Sequence, residues 1–186
     1  MKRIFDLVLV VLSSAILTIP LVITALLVRL SSKGPAIYWS DRVGRDNVIF
    51  KMPKFRSMQV GTPALATHLL ENPNIYLTSI GSFLRRSSLD ELPQLWSIAK
   101  GDMSFVGPRP ALFNQCDLIR LRTAGGVDKL LPGVTGWAQI NGRDELPISQ
   151  KVALDIEYLH KMSLWVDIKI IAQTVLKVLA KENISH

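Results

Sequence analysis

The residues best suited to chemistry are two adjacent acids, Asp90 and Glu91, which closely follow two adjacent arginines in Arg85-Arg86-Ser87-Ser88-Leu89-Asp90-Glu91-Leu92-Pro93-Gln94. The same run fits a capping box, in which Ser88 caps a helix running to Ala99 and Glu91 reaches back to the cap. Both readings stand at this point. A second feature is Gly107-Pro108-Arg109-Pro110, where two prolines restrict the backbone around one arginine. A rigidly presented guanidinium suits bidentate phosphate binding, although a tight turn with a solvated arginine has the same sequence. Lys51, Lys54 and Arg56 form a third basic group, with Lys54 and Arg56 on one face of a strand or on its solvated edge. Histidine is scarce (His68, His160 and His186), and there is no Walker lysine loop and no GxGxxG run. Catalysis by this chain therefore rests on carboxylates and arginines.

The elements that must hold these groups are short. Ala36–Trp39 and Val48–Met52 read as a hairpin around a polar turn at Arg42–Asn47. Residues 59–78 read as a surface loop. Ser79 caps a short helix through Arg86, and Gly101 ends the helix that follows Ser88. Helical spacing returns over Ala111–Arg122. Leu131–Arg143 is rich in Gly and Pro and reads as loop, and Pro147 opens a helix through Lys161. A last helix, Leu164–Lys181, carries Leu164, Ile168, Ile171, Val175 and Leu179 on one face, with Asp167, Lys169, Gln173, Lys177 and Lys181 elsewhere.

The N-terminal segment is different in kind. Leu7–Val28 is a run of 22 uncharged residues, about 33 Å of helix against a hydrocarbon core of about 30 Å. Pro20 lies inside it and deprives Ile16 of a helical partner, so a bend is expected, with Thr18 placed to satisfy a freed carbonyl. Lys2 and Arg3 precede the run and Arg29 and Lys33 follow it. The positive-inside rule would keep both ends on one side. A helix that enters, breaks and returns satisfies this; an ordinary kinked span, in which a proline is tolerated, is the other reading. The whole chain of 186 residues is 48% hydrophobic with a net charge of +7, which excludes a disordered chain and points to anionic lipid, phosphorylated substrate or nucleic acid. A single cysteine, Cys116, excludes an internal disulfide and a Cys-rich zinc site.

Four motifs occur together and in order: Lys54-Phe55-Arg56-Ser57-Met58; Ser88-Leu89-Asp90-Glu91-Leu92-Pro93-Gln94; Gly101-Asp102-Met103-Ser104 with Gly107-Pro108-Arg109-Pro110; and Pro132-Gly133-Val134-Thr135-Gly136 with Asn141-Gly142-Arg143. In this combination the chain resembles the bacterial sugar transferase family, the small monotopic polyprenyl-phosphate phosphoglycosyl transferases, from the first helix to about Lys181. The resemblance implies an α+β, mostly helical fold, with a re-entrant, Pro-broken membrane helix over residues 1–33 and a small membrane-associated catalytic domain over 34–186. It implies transfer of a sugar-1-phosphate from a UDP-sugar to undecaprenyl phosphate, with release of UMP, at the cytoplasmic face of the bacterial inner membrane.

By the same resemblance Asp90 is the nucleophile and Mg²⁺ ligand, and Glu91 is its partner. Lys54, Arg85 and Arg109 bind phosphate, and Arg143 faces the nucleotide or sugar. An N-acetylated amino sugar is the expected donor sugar, with Asp144–Pro147 the place to look for selectivity. One departure is Ile19-Pro20 where relatives often have Ser-Pro. Direct transfer in a ternary complex and a non-catalytic binder of nucleotide-sugar or anionic lipid are the alternatives. No nucleic-acid motif accompanies the charge. Membrane lipids are expected partners, and the sequence gives no oligomeric state.

Overall fold

A computed structural model of the chain describes residues 1–63, 65, 72–142 and 146–179. Helix α1, Lys2–Ser31, is followed by a hairpin of β1, Ile37–Val43, and β2, Ile49–Phe55. Then come α2, Gly81–Arg86, a 3-10 segment at Leu89–Gln94, α3, Leu95–Lys100, and β3, Ser104–Val106. Helix α4, Cys116–Ala124, β4, Gly133–Thr135, and α5, Trp137–Ile140, lead to α6, Ile148–Lys161, and α7, Leu164–Leu179. The α+β, mostly helical class holds, and so does the hairpin, which pairs antiparallel from Ile37 opposite Phe55 to Val43 opposite Ile49.

Helix α1 turns one face to the rest of the protein along its whole length. Burial recurs at Lys2, Asp6, Val10, Ser13, Leu17, Leu21, Thr24 and Val28, the three-and-four spacing of a single helical stripe. At the N-terminal end Arg3 donates to the carbonyls of Ile98 (2.5 Å) and Ala99 (2.7 Å) in the last turn of α3. Asp6 accepts from Ser104 Oγ (3.0 Å) and the Phe105 amide (3.1 Å). At the other end Val28 packs with Phe55 and Leu84. The opposite stripe, which includes Val11, Ile16, Ile19, Val22 and Leu26, is exposed and apolar. Pro20 removes no residue from the helix. Thr18 Oγ1 takes the Ser14 carbonyl (2.6 Å) rather than the one Pro20 frees at Ile16. This back-bonding is a feature that bends helices.

Helix α7 corrects the expected division of its faces. Asp167 is buried and bonds Tyr158 Oη (2.6 Å) and Lys2 Nζ (2.5 Å), and Lys177 donates to the Ile140 carbonyl (2.6 Å). Asp167 and Lys177 therefore point inward with Ile170, while Lys169 is exposed. Trp165, Ile168, Val175 and Leu176 point outward, Trp165 with 76% of its surface exposed. The segment expected as loop, Leu131–Arg143, contains β4, which pairs parallel with β3 (Ser104 opposite Gly133, Val106 opposite Thr135), and then α5. Glycines make that pairing possible: a Cβ on Gly133 would lie 2.1 Å from the Gly107 nitrogen, and one on Gly136 would lie 2.1 Å from the Gly107 oxygen. The next helix begins at Cys116 rather than Ala111, and α2 begins at Gly81 without a cap from Ser79, whose hydroxyl reaches the Ser31 carbonyl instead.

Candidate active site

Three elements bring the charged motifs together. Strand β2 turns Phe50 and Met52 inward, and Lys54, two residues on, continues that face. The 3-10 segment Leu89–Gln94 packs against β2, and Asp90 and Glu91 sit in its first turn. Leu89 and Leu92 fasten the segment by packing beside Phe55, Leu84 and Val28. The β3–β4 pair delivers Arg109 from the far side. The capping box does not form: Ser88 has φ 56° and no side-chain cap bond. A left-handed residue other than glycine costs on the order of 1 kcal/mol, and here it turns Glu91 away from the cap and toward the basic residues.

Glu91 Oε1 accepts from Lys54 Nζ at 2.8 Å and from Arg109 Nη2 at 3.1 Å. Arg85 lies at the end of α2, with Nε donating to Ser57 Oγ (3.2 Å) and Nη2 against Met58 Sδ (3.5 Å). Burial lowers the Arg85 pKa, and the Asp90 charge opposes that. Asp90 is buried, and its Oδ1 has no hydrogen-bond partner among the described residues. Burial pushes the Asp90 carboxyl up to about 6, against the pull of Lys54 and with a push from Glu91. At neutral pH it is therefore an ionised, poorly solvated carboxylate, the form in which an acid acts as nucleophile.

The structure thus brings together Asp90, Glu91, Lys54, Arg85 and Arg109. Lys51 instead pairs with Asp41 (2.8 Å) on the surface, Arg56 donates to the Pro35 carbonyl (2.9 Å), and Arg86 is exposed. Arg143, Asp144 and Glu145 lie outside the described residues. Among the described residues no group of three or more His, Cys, Asp and Glu side chains could hold a metal ion. Mg²⁺, however, is usually held by one or two carboxylates together with the substrate's phosphates. The unpartnered Asp90 Oδ1 fits that mode.

A cavity of about 350 Å³ opens beside Glu91 and Arg109. Ser13 and Leu17 of α1, Phe105 and Val134 of the β3–β4 pair, and Ile171 and Val175 of α7 line it. Sequence reasoning missed it because its walls come from distant segments. It also missed Gln139, whose amide is buried at this lining with neither polar atom partnered, and Ser57, which holds Arg85.

A largely buried acid pair ringed by lysine and arginine thus lies beside an apolar cavity walled in part by a helix long and apolar enough to cross a membrane. Residues 1–181 match the bacterial sugar transferase family, and the chain belongs to it. It is 42% identical, over 95% of its length, to the UDP-glucose:undecaprenyl-phosphate glucose-1-phosphate transferase of Escherichia coli, and 37% identical, over 98% of its length, to the undecaprenyl-phosphate galactose phosphotransferase of Salmonella typhimurium. The chain spans only 40% and 41% of those two proteins. It covers 91% of the uncharacterized sugar transferase EpsL of Bacillus subtilis, at 36% identity.

Proposed function

We propose that this chain transfers a sugar-1-phosphate from a UDP-sugar to undecaprenyl phosphate and releases UMP, with Asp90 as the nucleophile. The observation that carries the reading is Asp90 itself: a buried carboxylate with an unpartnered oxygen, among Lys54, Arg85 and Arg109, in a family whose relatives are named for this transfer. An Asp90 oxygen attacks the phosphorus that bears the sugar, the bond from that phosphorus to the bridging oxygen breaks, and UMP departs with the electron pair. The resulting phosphosugar–aspartyl ester is then attacked at the same phosphorus by an oxygen of undecaprenyl phosphate, which forms the diphosphate and frees Asp90. Lys54 and Arg109 hold Glu91 as an anion beside Asp90, and Arg85 and Arg109 hold the donor's phosphates. Asp90 and the donor's phosphates would hold Mg²⁺, which would supply charge neutralisation at the phosphate oxygens.

The membrane arrangement supports the acceptor. Because α1 lies along the domain over its full length, a perpendicular span would carry charged surface into hydrocarbon, at a cost of several kcal/mol per unpaired group. In our reading α1, which is continuous through Pro20, bends there in the bilayer so that the helix enters and returns, and both its ends stay on the cytoplasmic face of the inner membrane. The α1–α7 cavity then receives the first isoprene units while the phosphate reaches Glu91 and Arg109. An N-acetylated amino sugar remains our expected donor sugar, with Arg143 and the segment to Pro147 facing it.

The test is UMP release by the protein in nanodiscs with Mg²⁺, undecaprenyl phosphate and a panel of UDP-sugars. Release with one donor, lost in Asp90→Asn, is the expected result. Binding of UDP-sugar without release from any donor would instead make the domain a binding module.

A further inference from the structure

Pro108 and Pro110 carry no N–H, so the segment that presents Arg109 is held almost wholly through its carbonyls. Four in succession take a donor: Pro108 O from the Gly133 amide (2.9 Å), Arg109 O from Arg122 Nη1 (2.7 Å), Pro110 O from Arg42 Nη1 (3.1 Å), and Ala111 O from the Val43 amide (2.9 Å). The donor on Arg109 itself is a charged side chain with a partner of its own. Arg122 Nε and Nη2 both reach Asp155 Oδ2, at 2.9 and 2.7 Å, and the two side chains are 12% and 2% exposed. Arg122 comes from α4 and Asp155 from the inward face of α6. Two helices that contribute nothing else to the acid pair thus converge on the backbone of one active-site residue.

A buried ion pair adds little stability over well-packed apolar side chains, because both charges lose their water. What the arginine fork does supply is direction, since its donors are fixed in one plane. Locked by Asp155 on one edge, Arg122 fixes the Arg109 carbonyl. The prolines on either side restrict the backbone from which the Arg109 side chain starts, and its guanidinium ends at Glu91, 3.1 Å away. We propose that Arg122, held by Asp155, is a positioning residue that sets the aim of the Arg109 guanidinium on the donor's phosphates. This rests on the phosphate-binding role given to Arg109 in the proposed function.

A double-mutant cycle separates positioning from a simple tie between α4 and α6. Arg122→Met is made in the full chain and in an Arg109→Ala background, and each protein is measured in nanodiscs for UDP affinity and for UMP release. With Arg109 present, Arg122→Met lowers release about 10- to 100-fold, the scale of a small misplacement of a catalytic group, and weakens UDP binding. With Arg109 already removed, the same substitution changes either quantity less than about twofold. Equal factors in both backgrounds, or no effect in either, would overturn the proposal. Should Arg122→Met fail to fold, Arg122→Lys serves, because an ammonium cannot bridge Asp155 and the Arg109 carbonyl in the same geometry. A wild type that binds UDP yet releases no UMP would sink the proposed reaction, while the cycle on affinity would still decide the positioning. A wild type that binds no UDP would overturn both.

Discussion

Lys54 meets Glu91 at 2.8 Å with both side chains mostly buried, and Arg109 reaches the same carboxylate oxygen at 3.1 Å. Adjacent in sequence, the two acids are therefore unlike in circumstance: Glu91 is held by two cations, whereas Asp90 keeps an oxygen with no partner among the described residues. Such a difference in surroundings divides roles between neighbouring carboxylates, one fixed and one available to react.

Replacing Lys54 by Met removes the charge that most opposes the burial of Asp90. The Asp90 carboxyl then rises above about 6, and less of it is ionised at pH 7. We expect the acidic limb of the pH–rate profile to move to higher pH and the rate at pH 7 to fall on the order of 10²-fold, since Glu91 loses its nearer cation as well. An unchanged acidic limb would separate Lys54 from Asp90.

Asp90→Asn carries a prediction on stability whose sign is unusual for a buried acid. A carboxyl raised from 3.8 to about 6 binds more protons folded than unfolded across that interval, so it costs stability as pH rises through it. At pH 7 and above the Asn variant should therefore unfold at a higher temperature than the wild type, by an amount on the order of 2–3 kcal/mol. Below pH 3.8, where both states of the wild type are protonated, the advantage should vanish. Thermal unfolding of both proteins at several pH values checks this, and a variant less stable at neutral pH would contradict it.

The close contact of β3 and β4 makes Gly107 intolerant of a side chain. A Cβ there would lie 2.2 Å from the Leu131 carbonyl, which is backbone and cannot swing aside. Gly107→Ala should open the parallel pair, displace Arg109 and cost about 1–3 kcal/mol. The thermal midpoint and the rate should fall together.

Helix α1 yields a topological prediction. With exposed Cys116 changed to Ser, single cysteines in place of exposed Ile4 and Lys33 should both react with an impermeant maleimide added from the same side of a sealed vesicle. Reaction from opposite sides would establish a span.

The 22-residue apolar run, the hairpin and the charged motifs around Lys54, Asp90 and Arg109 were legible in the sequence, because each depends on residue type over a short window. The other features depend on contacts between distant segments. Ser88 and Glu91 satisfy a capping box in one dimension, yet packing of Leu89 and Leu92 beside Val28 and Leu84 turns Glu91 to Lys54 and Arg109. Asp167 and Lys177 look like a solvated face of α7 until Lys2, Tyr158 and the Ile140 carbonyl claim them from within. A helix that leaves apolar side chains outward inverts the usual pattern, and only its neighbours reveal which way it faces. The parallel pairing of Gly133–Thr135 was hidden for a related reason: glycine there signals backbone contact as well as loop.

The most direct test of the central claim is exchange of labelled UMP into the UDP-sugar donor with Mg²⁺ present and polyprenyl phosphate absent. A covalent step on Asp90 is reversible before the acceptor enters, so the wild type should move label into the donor, and Asp90→Asn should move none. A wild type that turns over with acceptor but exchanges no label without it would contradict the aspartyl intermediate and place the transfer in a ternary complex.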